Sequence, residues 1–151
     1  MRRDILELAH RLCIEGMTRK VTLPFNIEED SLYECFDGLY AFLGFCRETL
    51  KSYPTDYMPV YDKNHVLDPN NLYDLCFILI NHLDGFLGKY GCNFRYYVEQ
   101  EKSKGELDPG VRLIEIEKKY PTYFEAVTQL AEDSAYYKDL IMNMYEKIGG
   151  H

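Results

Sequence analysis

Glu7 and His10 stand in an E-x-x-H spacing, which on a helix sets a carboxylate and an imidazole on one face, as di-metal sites require. Those sites also need a second E-x-x-H and further inward glutamates, and the sequence has no second E-x-x-H. Glu7 also has Arg3 and Arg11 at i−4 and i+4, so surface ion pairing is the chemistry expected of it. His82 lies beside Asn81 and Asp84 at the edge of an apolar run. A carboxylate next to an imidazole suggests a general base, but positions i and i+2 of a helix point to different faces. His82 is therefore expected to be a satisfied, partly buried histidine. His65 falls in a loop with Asp62 and Asp68, and His151 is terminal. Four scattered histidines give no metal pattern, and neither a metal nor a cofactor is expected. None of the serines lies in a G-x-S-x-G elbow. Gly85, Gly88 and Gly91 follow a helical pattern where a phosphate loop would follow a strand. They are expected to end that helix or to let neighbouring helices come close.

Residues 52–67, SYPTDYMPVYDKNHVL, hold the most informative set. Tyr53, Tyr57 and Tyr61 recur every four residues, Asp56 and Asp62 accompany them, and Pro54 and Pro59 restrict the backbone. Large rings on a stiffened loop are what protein interfaces use as hot spots, since little entropy is lost when they bind. Phe77 and Ile78 join this candidate partner-binding set. They interrupt the polar stripe of an otherwise amphipathic helix, and an exposed pair of that kind needs a cover. Either the tyrosine loop folds over them or a second molecule does.

The elements that position these residues read as helices. Ile5, Leu8, Ala9, Leu12 and Cys13 make one stripe over residues 4 to about 17, with Gly16 as its stop. A link at 18–25 includes Val21-Thr22-Leu23-Pro24, a short extended segment. A second helix starts at Asn26 or Ser31, each followed three residues later by Glu29 or Glu34. It buries Leu32, Phe36, Leu39, Tyr40, Leu43 and Cys46 and stops at Tyr53-Pro54. Asp68-Pro69 is expected to cap a central hydrophobic helix over about 68–88. Short helices follow at 93–104 and 108–119. A long C-terminal helix over about 121–148 carries Tyr123, Val127, Leu130, Ser134, Tyr137, Ile141, Met144 and Ile148 in alternating four- and three-residue steps. That is a heptad-like seam, expected to pack within the same bundle. The expected fold is all-α, a single helical domain over 1–151 with five to six helices and the one long irregular loop 52–67.

Composition bounds the function. A chain of 151 residues can close one hydrophobic core without disulfides. The five cysteines include no CxxC, and four of them sit in apolar helical patterns, which fits a reducing, cytoplasmic setting. No signal peptide or membrane-length apolar run is expected. The net charge is −8, and residues 25–92 hold eleven acids against four bases. Direct nucleic-acid binding is not expected of such a surface. An acidic, tyrosine-rich domain without a catalytic motif fits a non-catalytic protein-binding role, such as an inhibitor of immunity or anti-defence type. Its partner would be a protein with a basic surface that acts on nucleic acid. The first alternative is a self-associating helical component of a larger assembly, joined through Phe77/Ile78 or the C-terminal helix. The second is a small enzyme centred on His82 and nearby carboxylates.

Overall fold

A computed structural model describes residues 2–18, 32–59, 62–91 and 124–149, without the side chains of 32–36, 90–91 and 124–127. Within them the chain is all-α. Helix α1 is Arg3–Thr18, α2 is Leu32–Lys51, α3 is Leu72–Phe86 and α4 is Phe124–Lys147. A 3-10 turn, Thr55–Tyr57, lies between α2 and α3, and a π turn, Leu87–Gly91, extends α3. The expected extended segment at 21–24, the two short helices at 93–104 and 108–119, and both proposed starts of the second helix lie outside the described residues. No described helix is long and apolar enough to cross a membrane.

Helix α2 packs chiefly on α3 and α1 chiefly on α4, while α1 also meets α2 and α3 meets α4. These contacts close a ring of four helices around one core. Each helix contributes the face its apolar spacing dictates. From α1 come Ile5, Ala9, Leu12 and Cys13; from α2, Leu39, Phe42, Leu43 and Cys46. Helix α3 gives Leu75, Cys76, Leu79 and Leu83, and α4 gives Leu130, Tyr137, Ile141 and Met144. From Leu130 to Met144 the heptad-like seam of α4 is thus consumed inside the molecule. Ser134 is buried with it and Ile148 packs at its end, whereas Tyr123 and the Val127 side chain lie outside the described residues.

Two local expectations are corrected, and a third is met in one of its two forms. Gly16 does not stop α1, which runs on to Thr18. Its missing side chain lets helices approach: a Cβ there would lie 2.5 Å from Ile141 Cδ1 and 3.2 Å from Phe42 Cζ. Gly85 and Gly88 do not serve close approach, because nothing stands within 4 Å of a Cβ at either position, but α3 does end between them, at Phe86. Finally, Asp68 does not cap α3. Its carboxylate accepts the Asn70 N–H at 2.9 Å in a local turn, and the helix begins at Leu72 with Asn71 as its cap, accepting from Asp74 N–H at 3.2 Å. The stop at the other end of the chain is as expected: Gly149 takes φ +80 and its N–H bonds the Glu146 carbonyl.

Candidate functional site

The loop between α2 and α3 is fixed at both ends. Its first anchor is Tyr53, 5% exposed. The Tyr53 ring meets Tyr73 edge-on at 5.0 Å, and Tyr73 meets Phe77 edge-on at 5.2 Å. Edge-to-face packing of this kind adds to the burial of the rings. Burial raises the Tyr53 phenol above its ordinary pKa, with smaller contributions from Tyr57, Cys76 and Asp74, so the hydroxyl stays neutral.

The second anchor is built on Asp74, in the first turn of α3 and 2% exposed. Asp74 Oδ2 accepts the Asp68 backbone N–H at 2.9 Å, and His65 Nε2 lies 3.1 Å from the same oxygen. A carboxylate only accepts, so His65 donates its Nε2–H. A buried charge of this kind holds its place because it is bonded from the loop it secures. Asp62 turns the chain locally by accepting the Asn64 N–H at 2.9 Å. From α4, Lys147 donates its ammonium to the Asn70 carbonyl.

Beside these anchors, part of the described loop faces outward. Tyr57 is 49% exposed, Met58 43% and Val66 83%. Asp56 is exposed and pairs with Arg2 at 2.9 Å, while the Arg2 guanidinium also pairs with Asp4 and covers the Tyr57 ring 4.9 Å from its centre. The hydrogen bonds to Asp4 and then Asp56 raise the Arg2 pKa, and the Arg2 hydrogen bond lowers that of Asp4. All these groups are solvated, so their net effect on stability is small. Their consequence is local, because they tie the tip of the loop to the start of α1.

The expected site residues therefore separate. Asp56, Tyr57 and Asp62 stand on the surface, Tyr53 is an anchor beneath it, and Tyr61 lies outside the described residues. Phe77 and Ile78 are half-buried and packed against the core. Tyr73, one turn before Phe77 on α3, stands between the Tyr53 ring and Phe77. Met58 and Val66 complete the exposed set, and sequence reasoning missed both. A lone Met or Val in a loop has no periodicity to mark it, although its place between anchored residues does.

The other nominated groups stay apart. Glu7 pairs with Arg3 at 3.6 Å, and the His10 ring lies 6.3 Å from Tyr145. His82 is exposed, 3.3 Å through Nδ1 from the Tyr137 hydroxyl and 5.0 Å from the Tyr136 ring. The carboxylate beside it in sequence, Asp84, instead pairs with Arg47 at 3.4 Å. Among the described residues no group of three side chains could hold a metal ion. Comparison with protein-family models, with curated proteins and with solved structures finds no match.

Proposed function

We propose that this chain is a non-catalytic protein-binding module whose contact surface is the loop between α2 and α3. The observation that carries this reading is that one loop is held at two buried points and still turns Tyr57, Met58 and Val66 to solvent. Apolar side chains in a loop are ordinarily tucked inward once the backbone is fixed. Here fixing the backbone leaves them outside, and the ordering cost of binding is met in advance by folding. Asp56 and Asp62 border them on a chain of net charge −8. The partner this surface suits is a protein with a basic face, approached under electrostatic steering and held by the apolar centre. Inhibition of a nucleic-acid-acting protein is the form of binding we favour, because such partners carry the basic surface that an acidic module complements.

The test is capture from native lysate with wild-type, Tyr57→Ala and Val66→Asp baits run in parallel at low and high salt. A specific partner retained by wild type, weakened by more than about 1 kcal/mol in each variant and weakened again by salt supports the proposal. Equal retention by three folded baits would refute it.

A further inference from the structure

Asp133 of α4 is 7% exposed, yet among the described residues it forms no ion pair, and its one hydrogen bond there is the 2.9 Å donation from Gln129 Nε2 to Oδ1. A carboxylate this buried ordinarily has a countercharge or several donors, because desolvating it otherwise is costly. Asp133 lines a cleft of about 320 Å³ between α3 and α4, together with Asn81, His82, Phe86, Lys89 and Gln129. Lys89, which also lines the cleft, has an interaction of its own. We propose that this cleft binds an organic cation, a guanidinium or a primary ammonium, with Asp133 as its counter-ion.

The surrounding groups suit that chemistry. Asp133 Oδ2 is left to accept from the ligand's N–H donors. Gln129 spends its NH2 on Asp133, which leaves its carbonyl as a second acceptor. The Phe86 ring gives the cleft an aromatic wall for the carbon skeleton or the cation itself. His82 stands at the edge of the cleft, its Nδ1 3.3 Å from the hydroxyl of the buried Tyr137. An anion would have to lie beside Asp133, and a metal ion would find only one carboxylate. The cation has two sources, a free amine or a basic side chain of a bound protein. The cleft is separate from the α2–α3 loop, so the inference stands or falls apart from the loop's role.

The test is titration of the full ¹⁵N-labelled chain with methylguanidinium chloride at constant ionic strength. Saturable shifts of the His82 and Gln129 side-chain signals are expected, with a dissociation constant on the order of 1 mM. In Asp133→Asn, which keeps the shape of the side chain, affinity should fall at least tenfold. Tetramethylammonium, which has no N–H donor, should give no such shifts. Asn81→Asp, an exposed position where folding is not at risk, should tighten binding by adding a second carboxylate. A capped Gly-Arg-Gly peptide identifies the source: binding equal to methylguanidinium points to a protein side chain, and exclusion points to a free amine. Unsaturable shifts, the same affinity in Asp133→Asn, or no tightening in Asn81→Asp would overturn the proposal.

Discussion

Asp74 and Asp133 are both buried carboxylates, one at the start of α3 and one on α4 beside its far end. They differ in what surrounds them. Asp74 accepts a backbone N–H from Asp68 and a ring N–H from His65, so its charge secures the loop that leads into α3. Asp133 receives the amide of Gln129, four residues before it on the same helix, and secures nothing at long range. Equal burial therefore does not mean equal purpose. Removing the first charge breaks a built network, whereas removing the second relieves a desolvated group, and the two substitutions should move stability in different directions.

The largest expected effect is one that leaves this comparison intact. Burial pushes the thiols of Cys13 and Cys46 up to about 12, and that of Cys76 well above its usual value. The folded state holds these protons where the unfolded chain releases them. Their stabilisation is complete below the unfolded value near pH 8.5 and is lost as pH rises towards the folded values. Each thiol should cost about 1.4 kcal/mol per pH unit in that window. Urea unfolding at pH 8 and pH 10 under reducing conditions checks it; equal stabilities at the two pH values would contradict the buried-thiol core.

Asp74→Ala comes next. It strips the acceptor from His65 and Asp68 together, and a loss of about 3 kcal/mol is expected by denaturant unfolding at pH 7. A loss below about 1 kcal/mol would erase the contrast with Asp133. His65→Ala removes one bond to Asp74 and should cost about 1 kcal/mol, with faster amide exchange concentrated in residues 62–68. Exchange that speeds equally throughout the chain would show that His65 supports the core and not the loop. Asp133→Asn is the smallest in magnitude and the sharpest in sign. Its melting temperature should equal or exceed that of wild type, and a clear drop would make Asp133 structural.

The helices were legible because periodicity is strong wherever one face is buried. Ile5, Leu12, Leu39, Cys46, Tyr137 and Ile141 all lie on the stripes that spacing assigns to the core. Local signals misled where tertiary contacts competed with them. Gly16 reads as a helix stop from its type alone, while its use is the approach of Ile141 and Phe42. Asp68-Pro69 carries a capping signal, but Asn71 performs the capping because Asp68 is spent on its own turn and on Asp74. The tyrosine loop was visible as a unit. The division of labour within it was not, since three identical side chains at equal spacing do not disclose that Tyr53 faces Tyr73 while Tyr57 lies under Arg2. Asp133 was invisible for a related reason: its environment comes from α3, some fifty residues away along the chain, and no motif records that.

The central claim is that the α2–α3 loop is a binding surface assembled in advance by its anchors. Parallel capture with folded wild-type, Tyr57→Ala, Val66→Asp and Asp133→Asn baits tests it most directly. The account predicts one salt-sensitive partner that wild type and Asp133→Asn retain and that both loop variants lose. Retention of that partner by all four baits, or its loss only with Asp133→Asn, would contradict the account.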